Sequence, residues 1–238
     1  RADLVGADGL DRGLVALSAS LGIESLPVDE AEVLLDAYAA TAGDLPTALG
    51  AWGSVPLGDP DPRRVDALLD EGFAGLCLPA TALAEPAALD HVGPLLEVLE
   101  RRGAPLFVHP GPAQRPAAGA PAWWPAATSY IAGLQAAWCA WLARGRYEHP
   151  TLRILFAALA GLAPLHGERL VARGAPPSGH DAFLFYDTSS YGPRAIAAMR
   201  DVVGPGQIVY GSDRPVVEPD PPAGDDLLVS NPARLLGS

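Results

Sequence analysis

Short apolar runs alternate along the whole chain with longer segments whose apolar residues recur at helical spacing. The short runs predict seven strands, at residues 13–18, 49–55, 75–79, 105–109, 152–157, 183–187 and 207–211. The longer segments predict helices at residues 28–38, 61–71, 85–103, 126–144, 164–173 and 193–203, with a short final helix ending near Leu236. This alternation indicates an α/β fold with a parallel sheet and right-handed crossovers.

The number of strand–helix units favours a (β/α)8 TIM barrel. Seven units are visible, one fewer than such a barrel contains. The alternative, an open doubly wound sheet, lacks its glycine fingerprint, because no G-x-G-x-x-G follows any predicted strand. The sequence starts with Arg1-Ala2-Asp3-Leu4, which resembles the middle of a helix. We therefore expect one barrel domain over residues 1–238, with its first strand absent from this sequence.

The composition restricts the classes of ligand and the cellular location to be expected. A net charge of −12 argues against a nucleic-acid ligand, because little would neutralise the phosphates. No apolar run approaches the roughly 20 residues that span a membrane, and no leader peptide is visible. Cys77 and Cys139 lie in apolar surroundings, which favours small buried side chains over a disulfide or a nucleophile. We expect a soluble, cytoplasmic protein that acts on a small molecule.

Lysine is absent, since all sixteen basic residues are arginine. The absence excludes a Schiff-base lysine, a P-loop lysine and a carbamylated lysine that bridges two metal ions. A serine hydrolase is also disfavoured, because no Gly-x-Ser-x-Gly elbow occurs.

Two predicted strands lead to an ionisable residue. One apolar run stops at His109, and another is followed at once by Ser212 and Asp213. An imidazole and a carboxylate at the carboxyl ends of parallel strands are what a catalytic metal site needs. The alternatives are a packed barrel histidine for His109 and an ion pair with Arg214 for Asp213.

Four segments carry a family resemblance in their order along the chain. They are His-Pro at 109–110, Leu-Phe-Tyr-Asp-Thr-Ser-Ser at 184–190, Ile-Val-Tyr-Gly-Ser-Asp-Arg-Pro at 208–215 and Asn-Pro-Ala-Arg-Leu-Leu-Gly at 231–237. Together they resemble the amidohydrolase-related family, in the branch that contains aminocarboxymuconate-semialdehyde decarboxylase and 2-pyrone-dicarboxylate lactonase. The resemblance covers about residues 14–237.

The resemblance implies a TIM barrel of the metal-dependent hydrolase type with one divalent metal, usually zinc. His109 and Asp213 correspond to two of the family's ligands, and Asp213 would act as the general base. The family's His-x-His pair has no counterpart, because no two of the five histidines are so spaced. The histidine that the family places after the sixth strand corresponds to Ala158. We therefore expect no tightly bound metal in this chain as given.

Several further residues are candidates for substrate binding, each with a structural alternative. Arg214 would anchor a carboxylate, or form a salt bridge with a loop acid. Ser190 and Tyr191 would line the mouth of the barrel, or serve as turn residues. Trp123 and Trp124 would form an aromatic wall for the substrate, or a subunit interface in a homodimer.

Asp187 is interpreted as a turn or capping residue, with support of the site as its alternative role. The remaining histidines are expected at the surface or, for His166, in helix packing; they are His91, His149, His166 and His180.

The sequence favours a hydrolase of a small amide, lactone or related carboxylic substrate that uses a metal-activated water. One alternative is a non-oxidative decarboxylase of a small aromatic or unsaturated acid, which Ala158 makes less favoured. The other alternative is a catalytically silent barrel that binds a small molecule.

Overall fold

The computed structural model describes residues 2–113, 118–175, 180–219 and 224–237. It contains seven strands: β1 Gly13–Val15, β2 Leu49–Ala51, β3 Leu76–Pro79, β4 Leu106–His109, β5 Ile154–Phe156, β6 Leu184–Asp187 and β7 Ile208–Val209. Each strand lies inside a predicted apolar run and is shorter than that run. The last strand, β7, ends at Val209, so that Asp213 lies on the loop beyond the strand.

The strands form two parallel sheets in chain order, β1-β2 and β3-β4-β5-β6-β7. A single bridge between Gly53 and Leu76 links the two sheets. In the part of the chain that the structure describes, β7 and β1 are not paired with each other. Consecutive parallel strands with helices between them are the arrangement of a (β/α)8 barrel, and the predicted fold class is confirmed.

One α-helix precedes β1, and the others lie after the strands along the described chain. They are α1 Ala2–Ala7, α2 Val28–Gly43, α3 Pro62–Asp70, α4 Leu89–Arg102, α5 Trp124–Ala127, α6 Ser129–Ala140, α7 Arg146–Glu148, α8 Gly167–Val171, α9 Pro193–Val203 and α10 Asn231–Leu236. Shorter 3-10 turns follow β1 at Ala19–Leu21 and Ile23–Ser25. None of the helices in these described ranges has the length and apolarity needed to cross a membrane.

Local chemistry explains where several helices begin and end. The Asp61 carboxylate accepts a hydrogen bond from the backbone N–H of Arg63 at 2.9 Å, which caps α3 as its sequence predicts. Pro193 occupies the first turn of α9, where its missing N–H costs no helical hydrogen bond. Gly103 ends α4 in the left-handed region, with φ of 61°, which glycine adopts without strain.

The core has two layers, one on each face of the sheet. The inner layer is small and belongs to the barrel interior; it contains Trp52, Cys77, Phe107, Leu155, Ala157, Phe185, Val209 and Leu235. The outer layer is larger and packs the opposite strand face against the helices. Because side chains alternate along a strand, a residue's position two places from an inner-layer residue indicates that it also faces the interior.

Two predictions about burial are wrong. Cys139 is exposed on α6, whereas Cys77 is buried as predicted. His149 was expected at the surface but is 5% exposed, stacked on Trp141 with its Nδ1 3.4 Å from Glu100. His149 is buried because it packs against Trp141 and Glu100, and the local sequence does not indicate these contacts.

Candidate active site at the strand ends

His109 is the last residue of β4 and is half-buried at the carboxyl end of the sheet. Its Nδ1 lies 3.0 Å from the carbonyl oxygen of Pro110. Because a carbonyl oxygen only accepts, Nδ1 carries the hydrogen in this contact, and Nε2 of the neutral ring keeps its lone pair. The ring also packs edge-on against Phe107, with centroids 5.8 Å apart. His109 is thus held by two contacts and has one nitrogen available for chemistry.

Asp187 is the last residue of β6 and is buried. Its Oδ1 accepts hydrogen bonds from the backbone N–H groups of Ala158 at 2.8 Å and Ser189 at 3.0 Å. Burial raises the pKa of Asp187 above its ordinary value, while the hydrogen bonds from Ser189 and Ala158 act in the opposite direction. Asp187 therefore ties the loop after β5 to the loop after β6, which agrees with the turn and capping interpretation.

Gly211 has no room for a side chain beside Asp187. A Cβ atom there would lie 2.5 Å from Oγ of Ser189 and 2.8 Å from Cγ of Asp187. The backbone N–H of Gly211 donates to Oγ1 of Thr188 at 3.1 Å. The loop after β7 is in this way fastened directly to the loop after β6.

Asp213 and Ser190 meet at the end of these two loops. Oγ of Ser190 donates a hydrogen bond to Oδ2 of Asp213 at 2.6 Å. Both residues have left-handed backbones, with φ of 62° for Ser190 and 52° for Asp213. Such conformations are uncommon for residues other than glycine and occur often at functional sites. The structure thus brings together two of the residues that the sequence nominates.

Ala158 begins an unusual left-handed segment after β5. The five residues from Ala158 to Leu162 all have φ between 47° and 63°. Asp187 holds its first N–H, and Nε2 of Gln135 donates to the carbonyl oxygen of Gly161 at 2.7 Å. Left-handed helical backbone costs about 1–2 kcal/mol per L-residue, so this turn persists only because its surroundings hold it.

Arg214 occupies the salt-bridge arrangement named as its alternative role. Its Nε and Nη2 donate to the two carboxylate oxygens of Asp8 at 2.8 Å each. Its Nη1 and Nη2 donate to Glu218, also at 2.8 Å. These contacts raise the pKa of Arg214 and lower that of Asp8. A role in binding a substrate carboxylate stays a prediction that requires one of these pairs to open.

The aromatic candidates lie in different environments. Trp123 and Trp124 are 61% and 45% exposed, with ring centroids 5.8 Å apart. Exposure on this scale is compatible with both of their predicted roles. Tyr191 is half-buried and packs against the outer core, and burial raises the pKa of its hydroxyl.

Glu24 is a buried acid that sequence reasoning did not nominate. It lies in the 3-10 turn Ile23–Ser25 after β1, with only 1% of the residue exposed. Oγ of Ser54 donates to its Oε1 at 2.9 Å. The one available signal is its position: an acid in a loop at the carboxyl end of a strand, between the apolar residues Ile23 and Leu26.

The described residues do not fit a resident metal ion. A structural or catalytic zinc site needs at least three protein ligands. Among the residues that the structure describes, no group of three or more His, Cys, Asp or Glu side chains converges closely enough to hold a metal ion. His109 and Asp213 therefore remain two candidate ligands without a complete set.

Comparison with known sequences identifies the family. The sequence model described as "Amidohydrolase" matches residues 12–237. This chain belongs to the amidohydrolase family. The resemblance based on the segments around His109, Asp187 and Asp213 is thereby confirmed, whereas the individual roles of these residues in the amidohydrolase chain stay predictions.

Solved structures show the same fold. The 5-carboxyvanillate decarboxylase of Sphingomonas paucimobilis aligns with a TM-score of 0.76 and 20% identity, covering 100% of this chain and 82% of that chain. The corresponding enzyme of Novosphingobium aromaticivorans, with manganese and 4-hydroxy-3-methoxy-5-nitrobenzoic acid, aligns with a TM-score of 0.78 and 17% identity, covering 98% of this chain and 78% of that chain. The 2,6-dihydroxybenzoate decarboxylase of Rhizobium aligns with a TM-score of 0.73 and 17% identity, covering 99% of this chain and 86% of that chain. At these identities the likeness shows the fold of the amidohydrolase chain.

Proposed function

We propose that this amidohydrolase-family protein is a non-oxidative decarboxylase of a small aromatic or unsaturated acid. The observation that carries the proposal is the match of nearly the whole chain to the folds of decarboxylases that act on substituted benzoates. The proposal replaces hydrolysis, which the sequence favoured, by the alternative that the sequence left open. Its small-molecule ligand and the absence of a nucleic-acid partner agree with the net charge of −12.

The proposed reaction exchanges a carboxylate for a proton. A proton is added to the carbon that carries the carboxylate, the bond between that carbon and the carboxyl carbon breaks, and CO2 leaves. The electron pair of the broken bond restores the unsaturated system. No oxidant or reductant takes part. The protein must therefore orient the acid, deliver one proton and keep competing water away from the reacting carbon.

Asp213 is the candidate for proton transfer in this proposal. Its hydrogen bond from Ser190 fixes the orientation of the carboxylate, and its left-handed backbone places the side chain on the loop after β7. His109 presents Nε2 from the end of β4, and that nitrogen would either orient the substrate or bind a cation. A general acid or base placed in this way contributes about 10²–10⁴-fold to a rate.

His109 and Asp213 are the two candidate ligands for a divalent metal ion. When bound, such an ion would polarise an oxygen of the substrate. It would require ligands in addition to His109 and Asp213, which the described residues do not supply. The identity of the metal is open between zinc, which the resemblance implies, and manganese, which the Novosphingobium decarboxylase holds.

A substrate panel tests the proposal. The protein is incubated with hydroxybenzoates, with a small lactone and with a small anilide, each with and without added MnCl2, and the products are separated by liquid chromatography. Loss of CO2 from at least one acid, with the lactone and anilide unchanged, is the expected result. Turnover of the lactone or the anilide alone would contradict the proposal and restore hydrolysis.

A second candidate, a silent barrel that binds a small molecule, is favoured by two observations. Ala158 stands where the resemblance places a histidine, and the described residues hold no complete set of metal ligands. The panel separates the two candidates, since a silent barrel binds one of the acids without converting it.

A further inference from the structure

Glu24 is buried with one carboxylate oxygen satisfied and the other not. Ser54 donates to Oε1, and the backbone carbonyl of Glu24 accepts a hydrogen bond from the N–H of Leu57 at 2.7 Å. Within the described residues, Oε2 has no hydrogen-bond partner and is shielded from solvent. Buried polar atoms are nearly always paired, so an unpaired carboxylate oxygen indicates a partner that the described residues do not provide.

Three observations indicate that the Glu24 side chain lies near the barrel interior. Ser54, its partner, lies between Gly53, which pairs with Leu76, and Val55 of the outer layer, so that its side chain faces the interior as Trp52 does. Burial and then the charge of Glu24 raise the pKa of the Cys77 thiol, which also belongs to the inner core. The same loop contacts the residue after His109, because Oγ of Ser20 donates to the carbonyl oxygen of Pro110 at 3.1 Å.

The charge of Glu24 restricts the partner of Oε2. A carboxylate oxygen accepts hydrogen bonds and repels other carboxylates. If the ligand is a small acid, as the proposed function states, its carboxylate must lie away from Glu24. The end of the ligand that reaches Glu24 must instead carry a hydrogen-bond donor, for which an uncharged hydroxyl group is the simplest choice on an aromatic acid.

We propose that Glu24 is a ligand-binding residue whose Oε2 accepts a hydrogen bond from a hydroxyl group of a hydroxylated small acid. The hydroxyl group and the reacting carboxylate then lie at opposite ends of the ligand. Ser54 holds the Glu24 side chain in place at the hydroxyl end. This inference rests on the proposed function only in taking the ligand to be an acid.

The assignment predicts a specificity. A site built to bind a hydroxyl group discriminates against the analogue without it, because the polar group of the protein is then left unpaired. A hydrogen bond to a charged group corresponds to about a 10- to 100-fold difference in Kd. Among simple acids, 4-hydroxybenzoate should therefore bind about 10- to 100-fold more tightly than benzoate, because its hydroxyl group is farthest from its carboxylate.

Calorimetric titration of the full chain with these two acids tests the assignment. In the Glu24→Gln variant, the preference for 4-hydroxybenzoate over benzoate should fall below about threefold, with the affinity for benzoate unchanged or higher. Equal affinities for the two acids in the unsubstituted protein, or a preference that survives Glu24→Gln, would overturn it. The readout is binding, so an absence of CO2 release would count against the proposed function and leave this result standing.

Thermal unfolding of the protein without ligand separates a binding role from a structural one. Glu100 is the matched control, because its Oε1 accepts two hydrogen bonds from Thr151, both at 2.7 Å. Glu100→Gln should lower the Tm, since it weakens bonds to a charged acceptor. Glu24→Gln should leave the Tm unchanged or raise it, because the amide oxygen can still accept from Ser54 and the other carboxylate oxygen has no partner to lose among the described residues. A decrease as large as that of Glu100→Gln would show that Glu24 is structural and would overturn the assignment.

Discussion

The two sides of the barrel mouth treat their carboxylates differently. On the side of β6 and β7, Asp187 accepts hydrogen bonds from two backbone N–H groups, and Asp213 accepts one from the hydroxyl group of Ser190. On the side of β1 and β2, Glu24 has one partnered oxygen and one without a partner among the described residues. The first side is organised by the chain itself, whereas the second acquires its last contact from a ligand.

Backbone strain follows the same division. In the described ranges, every residue other than glycine with a positive φ follows β5, β6 or β7; they are Ala158, Leu159, Ala160, Leu162, Ser190 and Asp213. On the loop after β1, the positive φ belongs to Gly22, which adopts it without strain. The side that carries the candidate catalytic acid is therefore strained and densely hydrogen-bonded, and the side that carries Glu24 is relaxed but incomplete.

The largest expected effect concerns Asp213. Asp213→Asn keeps the size of the side chain and an oxygen for Ser190 but removes the charge, so kcat for decarboxylation should fall by about 10²–10⁴-fold. Ser190→Ala should lower kcat less, by about tenfold, because it only loosens the orientation of Asp213. Steady-state kinetics on the acid found in the substrate panel measure both. A larger effect for Ser190→Ala than for Asp213→Asn would contradict the division of roles.

Asp187→Ala should be the most destabilising substitution on the strained side. It leaves the part-buried N–H groups of Ala158 and Ser189 without their acceptor, at a cost of about 1 kcal/mol for each group. Asp187→Asn is the control, because its amide oxygen can still accept both bonds. Urea unfolding should show a free energy of unfolding for Asp187→Ala well below that of Asp187→Asn. Equal values would mean that these two bonds do not hold the loops.

Alanine-to-glycine substitutions in the left-handed segment and in a regular helix should change the free energy of unfolding in opposite directions. Ala160→Gly should raise the free energy of unfolding by about 1 kcal/mol, since φ of 53° is strained for alanine and not for glycine. Ala197→Gly, at an exposed position within α9, should lower it by about 0.5–1 kcal/mol. Urea unfolding of the pair checks the signs. Destabilisation by Ala160→Gly as large as that by Ala197→Gly would contradict the expected relief of strain.

The smallest effect concerns the ion pair between Asp8 and Arg214. Arg214 holds the pKa of Asp8 below its ordinary value of 3.8. A carboxyl group with a lowered pKa in the folded state contributes stability above its ordinary pKa, and that contribution is lost as the pH falls through the lowered value. The stability difference between the unsubstituted protein and Asp8→Asn should therefore be present at neutral pH and disappear in acid. Added salt should reduce it. A difference that does not change with pH would contradict the pair.

The sequence alone predicts the strands well and the site in part. Apolar run length and flanking glycine or proline are local signals, so all seven strands and the position of His109 follow from them. The length of β7 does not, because pairing with β6 ends at Val209 although apolar residues continue to Tyr210. Three-dimensional contacts decide the rest. Arg214 pairs with Asp8, 206 residues away in the sequence, and no local pattern indicates that pair.

Glu24 shows a different limit of sequence reasoning. Acids in loops are exposed as a rule, and the apolar neighbours Ile23 and Leu26 are the one local signal that Glu24 departs from it. Its burial arises because the loop after β1 folds over the mouth and contacts Ser54 and Pro110. The sequence also does not predict the contact between Ser190 and Asp213, since it depends on left-handed backbones at two residues other than glycine.

Decarboxylation itself is tested most directly with a carboxyl-labelled acid. The protein is incubated with 4-hydroxybenzoate and with 2,6-dihydroxybenzoate carrying ¹³C in the carboxyl group, and ¹³C NMR follows the label in the unsubstituted protein and in Asp213→Asn. The account predicts that the carboxyl signal of at least one acid converts to those of CO2 and bicarbonate, and that Asp213→Asn suppresses this conversion. A label that stays in the acid while the protein hydrolyses a lactone or an anilide would contradict the account.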